Sequence, residues 1–217
     1  MDLDEEYIAG VVQCELAGLS SSGPALEAQA IAARTYMAKY FERKGAKARL
    51  PVGPHFQCWK APKSAAIEAA RYTSGVIVQA QDRIVTGNYV AGARHLKIDC
   101  QPDTPRANGY DFDSWEALAR HHRTQRKQIG RNAFTGVSWT EIYVTRNEYL
   151  EQNDVDGTPM SRRGNTNRGA LGQYAAVCLA ENLGYETLDI LRYFYGDDIR
   201  LTGRMEPVGV EGGHQER

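Results

Sequence analysis

The sequence predicts an α+β fold in which several helices pack on small antiparallel sheets. Three observations lead there. Apolar residues recur at helical spacing twice within residues 4–41, two β-branched runs (76–80 and 84–90) face each other across a tight turn at 81–83, and a helical pattern returns after residue 169. The chain has 217 residues, 42% hydrophobic and 24% charged, which suits a globular core of ordinary size.

In the first helical stretch, 4–16, Ile8, Val11, Val12 and Leu16 make one apolar stripe. Glu15 follows Val11 by four positions, so the spacing sets a carboxylate on that stripe, or at its border if the helix slips by one residue. A carboxylate among apolar side chains is costly unless it is paired or protonated. Glu15 is therefore the first candidate for chemistry.

Ser20, Ser21, Ser22 and Gly23 break this helix, and Pro24 suits the first turn of the next. Leu26, Ala30, Ala33, Met37, Tyr40 and Phe41 share one face of that second helix. Ala25, Ala28, Ala30, Ala32 and Ala33 keep it thin, so a neighbouring backbone can come close. Gln29 and Arg34 fall at opposite edges of the stripe, where polar ends can reach a cleft while their stems stay packed.

Gly45, Pro51, Gly53 and Pro54 mark a turn-rich link, residues 55–59 read as a short strand, and 62–73 read as a helix with Pro62 near its start. Residues 99–114 read as loop. Residues 115–128 read as a basic helix carrying Arg120, His121, His122, Arg123, Arg126 and Lys127, either a patch for an anionic polymer or a solvated face. A strand at 137–144 and a short helical piece at 148–152 follow. The polar, Gly-rich stretch 154–168 is a candidate binding loop or lid. A helix starts within 169–176 and stops at Gly184, a second helical unit covers 186–194, and the tail after residue 203 frays.

The order Gly10-Val11-Val12-x-x-Glu15, a Ser-rich loop, then Glu27-Ala28-Gln29-Ala30-x-Ala32-Ala33-Arg34-Thr35-Tyr36 resembles the stage II sporulation protein D (SpoIID) family, related to the amidase-enhancer LytB domain. Further matches are Gln57 in a short Gln-x-aromatic element, with Trp59 in place of a Tyr, Tyr89 before a loop, and Gln173, Tyr174 and Ala176 near the end. There are departures too. The loop at 90–94 has no serine, and Asn167 stands where the family has a histidine. The resemblance covers about residues 7–201, strongest in 10–38 and weakest in 92–166. It implies a single SpoIID-like domain over 1–203, with a cleft between the 4–41 helices and the 169–184 helix, and a flexible tail over 204–217.

The resemblance implies a peptidoglycan lytic transglycosylase acting on MurNAc–GlcNAc strands already stripped of stem peptides. In that reaction one acid protonates the glycosidic oxygen, and the sugar's own C6 hydroxyl closes on the anomeric carbon, leaving a 1,6-anhydro-MurNAc end. An internal nucleophile removes the need for a second carboxylate to activate water. One glutamate is then sufficient, and Glu15 is the expected general acid, with Val11, Val12, Leu16 and Leu19 the expected apolar surroundings. Arg34, Gln29, Gln57, Tyr89, Gln173 and Tyr174 are the expected substrate-binding residues, Arg34 set several ångströms from Glu15; an ion pair of Arg34 with Glu27 or an aspartate is the packing alternative. The rival reading is a non-catalytic, glycan-binding amidase enhancer, motivated by the missing serines and histidine. A third is a cytosolic protein reusing the fold.

The expected partners are peptidoglycan glycan strands, and a cell-wall amidase on the enhancer reading; no cofactor is implied. The net charge of −1 argues against nucleic acid, and no apolar run of membrane-spanning length occurs. The acidic first residues lack a secretory h-region, so the chain reads as cytosolic or as beginning after a boundary; the resemblance favours a removed leader and a place in the cell wall or periplasm. Cys14, Cys58, Cys100 and Cys178 form no C-x-x-C pair, which leaves thiols, one disulfide or a partial metal site open. Two specific arrangements are a Cys58–Cys100 disulfide and a zinc site from His55, Cys58, His95 and Cys100.

Overall fold

The computed structural model describes residues 2–20, 22–51, 56–101, 111–112, 143–144, 166 and 168–203. A π-helical turn, Leu3–Ile8, runs into α1 (Ala9–Glu15); α2 (Gly23–Lys44) and α3 (Ser64–Tyr72) follow. Strands β1 (Ile77–Ala80), β2 (Arg83–Ile84) and β3 (Asn88–Val90) come next, then β4 (Asp111–Phe112) and β5 (Tyr143–Val144). The chain closes with β6 (Ala170–Gly172), α4 (Gln173–Leu183), α5 (Thr187–Tyr195) and β7 (Arg200–Thr202). This is an α+β architecture. None of the described helices is long and apolar enough to cross a membrane.

Helix α2 contributes to both apolar clusters of the described residues. Ala28, Ile31 and Ala32 belong to one apolar cluster with Val76, Val78, Leu171, Leu179, Ile190 and Phe194. Ala25, Leu26, Ala30, Ala33 and Met37 belong to another, with Ile8, Val11, Val12, Leu16, Ala66 and Ala70. The periodicity predicts one apolar stripe, yet residues 28–35 in the middle of α2 are buried all round, Gln29, Arg34 and Thr35 included. Alanines explain this. They add little helix girth, so elements pack on both sides, and they carry the highest helix propensity.

The motif residues after Ala33 lock α2 to its neighbours. The Arg34 guanidinium donates to the Ala70 and Val76 carbonyls at 3.0 and 3.1 Å, joining α2 to the end of α3 and the entry to β1. The Thr35 hydroxyl donates to the Ile31 carbonyl at 2.6 Å and accepts the Val78 N–H at 3.0 Å. Gly87 sits at φ +66°, and a Cβ there would lie 2.6 Å from the Tyr36 backbone nitrogen and 2.8 Å from the Ala32 carbonyl oxygen. No other residue lets the chain pass α2 so closely.

The hairpin between β1 and β2 is antiparallel, as its sequence predicts, and β7 adds to the other side of β1. Its turn is tighter than expected: Gln81 and Asp82, both at positive φ, are enough. The second β-branched run does not continue to residue 90. It breaks at the Gly87 crossing, and β3 leaves to pair in parallel with β6. β4 and β5 are also parallel, so only the three-stranded sheet is antiparallel among the described residues.

Two further expectations are corrected. Residues 57–63 form no strand but an extended segment tied along α1: Lys60 N–H donates to the Gly10 carbonyl, Lys63 N–H to the Gln13 side chain, and the Trp59 indole N–H to the Glu6 carbonyl. Gly10 is the contact point, because a Cβ there would fall 1.9 Å from Trp59 Nε1. Residues 170–172 are strand and not helix, and the helix begins only at Gln173. The basic stretch at 115–128, residues 137–142 of the expected strand, the 148–152 piece, most of the 154–168 loop, His55 and the tail from 204 lie outside the described residues.

Candidate active site around Glu15

Glu15 is the last residue of α1, half-buried, with Val11, Val12 and Leu16 buried beside it in the chain. Leu19, expected to join them, is 43% exposed and belongs to the surface. Each carboxylate oxygen takes one hydrogen bond. The Cys58 backbone N–H donates to Oε1 at 3.2 Å, and Gln173 Nε2 donates to Oε2 at 3.2 Å. No cation is paired with Glu15 among the described residues.

Gln173 arrives by way of the parallel β3–β6 pair, which sets Tyr89 opposite Leu171 and Val90 opposite Gly172, immediately before α4 begins. Its Nε2 also reaches Gln29 Oε1 on α2, at 3.5 Å. Gln29 is fully buried, and its own Nε2 has no partner among the described residues; the same holds for the Tyr89 hydroxyl. Burial raises the Tyr89 hydroxyl well above the ordinary tyrosine range, and the Glu15 charge adds to the rise. The Gln57 side chain beside it works the other way. Tyr89 is thus a neutral hydroxyl close to the carboxylate. Two buried polar groups without partners are unusual and mark a place built for something polar.

The other expected contacts divide. Gln57 is committed within the protein: its Nε2 donates to the Ala33 carbonyl at 3.0 Å and its Oε1 accepts the Tyr7 hydroxyl at 2.8 Å. Burial, with help from Tyr36, pushes that Tyr7 hydroxyl up to about 12. Arg34 is spent on backbone carbonyls, so the donors assigned to substrate serve the fold; Glu27, its suggested packing partner, instead accepts the Thr187 hydroxyl. Tyr174 is half-buried under the Arg94 guanidinium, 5.6 Å from its ring centre, and its N–H donates to the Ala91 carbonyl.

The cysteines form two disulfides, Cys14–Cys58 and Cys100–Cys178. The Cys58–Cys100 pairing does not occur. Both cysteines of the considered zinc set are used in these bridges, and no His, Cys, Asp and Glu group among the described residues is placed to hold a metal. Residues that carried no functional signal in the sequence are Cys14, Cys58 as a backbone donor, and Tyr7. A backbone amide has no side-chain signature, so no pattern could have shown it.

The arrangement is an isolated carboxyl group held by two neutral donors, with spare amide and hydroxyl groups close by, on the seam between an N-terminal helical half and the α4 unit. Residues 2–81, which carry Glu15, Gln29 and Cys58, match the family model SpoIID, described as Stage II sporulation protein. That segment is thus similar to the SpoIID family over somewhat more than a third of the chain. No curated protein matches the chain.

Proposed function

We propose that this chain is a peptidoglycan lytic transglycosylase with Glu15 as its general acid, cutting glycan strands to leave 1,6-anhydro-MurNAc ends. The observation that carries the proposal is the Glu15 carboxyl held by neutral donors inside the family-matching segment. A general acid must exist in both protonation states. Gln173 serves either one, because an amide donates to the carboxylate through nitrogen and, turned over, accepts the acid's proton through oxygen. An arginine in its place would favour only the charged form. Gln29 and Tyr89 offer an amide and a neutral hydroxyl for sugar oxygens, and Tyr174 an aromatic face.

Two disulfides support work in an oxidising compartment, outside the cytoplasm, where glycan strands are found. The rival reading is a glycan-binding enhancer of an amidase. It is favoured by Ala91 and Ala93 in the loop beside Tyr174, which bring no hydroxyl to the site. Mass spectrometry of stripped and peptide-bearing glycan strands after incubation with the purified protein separates the readings. Anhydro ends that vanish in Glu15→Gln support the transglycosylase, whereas strands retained but uncut support the enhancer. Reducing ends would mean hydrolysis and a second carboxylate.

A further inference from the structure

The two disulfides stand in different relations to the site. Cys100 and Cys178 are buried, and their bridge ties the segment after β3 to α4 within the larger apolar cluster. Cys14 and Cys58 are both half-buried, and their bridge touches the acid from two directions. Cys14 is the chain neighbour of Glu15. Cys58 is the residue whose N–H donates to Glu15 Oε1. The bridge and that hydrogen bond therefore close one small ring: Glu15 carboxylate, Cys58 amide, the two sulfurs, Cys14, and back to Glu15.

The other ties of the 57–63 segment reach other residues of the helical stretch and α2, the nearest to the acid being the Lys63 N–H to the Gln13 side chain. Trp59 and Lys60 hold to Glu6 and Gly10, toward the other end of the helical stretch, and Gln57 holds to Tyr7 and Ala33. Glu15 is also the last residue of α1, where the next turn gives no helical support. Among the described residues, the sulfur bridge is the tie that joins the segment to Cys14, the residue beside the acid.

We infer that the Cys14–Cys58 disulfide is a positioning element for Glu15, which holds the Cys58 amide on the carboxylate and makes cleavage depend on the oxidised state. The inference rests on the reading of Glu15 as the general acid. Reduction takes two electrons and two protons from a dithiol. One thiolate attacks a cysteine sulfur, the mixed disulfide is resolved by the second thiol, and the reductant leaves as its own cyclic disulfide. Because exchange needs access to sulfur, the half-buried bridge opens before the buried one.

The test uses the whole chain. In the Cys14→Ser/Cys58→Ser double variant, turnover on stripped glycan strands should fall about tenfold or more, while strand retention stays within about twofold and far-ultraviolet circular dichroism is unchanged. Wild-type protein titrated with dithiothreitol should lose the same activity and regain it on reoxidation. The Cys100→Ser/Cys178→Ser variant should melt earlier but keep its turnover per folded molecule. Wild-type turnover in the first variant would overturn the inference, as would equal losses of turnover and retention.

An amide NMR spectrum separates this inference from the enzyme reading. In oxidised protein the Cys58 amide resonance should shift in Glu15→Gln, and after reduction it should become insensitive to that change. A Cys58 resonance equally sensitive to Glu15→Gln in both redox states overturns the positioning role, whether or not glycan is cut. The expected shifts in a protein that cuts no glycan would support the positioning and overturn the enzyme.

Discussion

Gln173 and Glu15, 158 residues apart in the chain, meet at 3.2 Å, amide nitrogen to carboxylate oxygen. One stands at the end of α1 and the other at the start of α4, so the contact joins the two ends of the fold at the proposed point of chemistry. Replacing Gln173 with methionine keeps the bulk and removes the donor. We expect turnover on stripped glycan to fall roughly tenfold to a hundredfold, with a melting temperature close to wild type. Steady-state kinetics beside thermal melts check this; an unchanged turnover would leave the amide no part in the reaction.

Glu15→Gln tests the acid itself. The amide keeps the shape and can still accept the Cys58 N–H, but it has no proton to give. Cleavage should drop by about 100-fold or more, while strand retention persists. Counting 1,6-anhydro ends by mass spectrometry gives the first quantity, and co-sedimentation with glycan gives the second.

Arg34 distinguishes scaffold from substrate contact. Arg34→Met removes the guanidinium donors from the buried carbonyls of Ala70 and Val76. The expected cost is about 2–4 kcal/mol in urea unfolding, with turnover per folded molecule preserved. Arg34→Lys should restore only part of the loss, since an ammonium lacks the planar fork that reaches both carbonyls. A stable Arg34→Met protein that fails to hold glycan would return Arg34 to the substrate.

Gly87→Ala should be among the most damaging single-atom additions in the chain. The new methyl meets the α2 backbone, and the positive φ adds strain. Together these cost about 2–4 kcal/mol, read from denaturant midpoints.

Glu27 gives a pH dependence. Burial raises its carboxyl above the ordinary glutamate range, and the Glu186 charge adds to this against the opposing Thr187 hydrogen bond. The folded chain then holds this proton to higher pH than the unfolded chain does, so stability falls as pH climbs from the unfolded value through the raised folded one. Glu27→Gln keeps an acceptor for Thr187 and removes the titration. Its melting temperature should exceed wild type at neutral pH and converge with it in acid, as melts across pH 3–8 would reveal.

The helical stripes, the hairpin and the place of Glu15 among Val11, Val12 and Leu16 could be read from residues near one another in the chain, because helix and strand periods are local. The single-glycine crossing at residue 87 could not. Its meaning depends on which helix lies beneath it, and the β-branched run around it gives no sign that the strand must break there. Polar residues on α2 misled for a related reason. Periodicity distinguishes an apolar face from a wet one, but it cannot tell a cleft from a second packed neighbour, so Arg34 read as a substrate ligand and became a clamp.

By itself, then, the sequence determined the α+β class, the two N-terminal helices and the carboxylate that ends the first of them. The tertiary structure alone decided that Cys14 pairs with Cys58, that the Cys58 amide and Gln173 hold Glu15, and that Gln29 and Tyr89 keep polar atoms without partners among the described residues. The reason is distance along the chain. Local propensity acts over a few residues, whereas these contacts form only once α2 is packed on both sides and the β3–β6 pair has carried α4 to the acid.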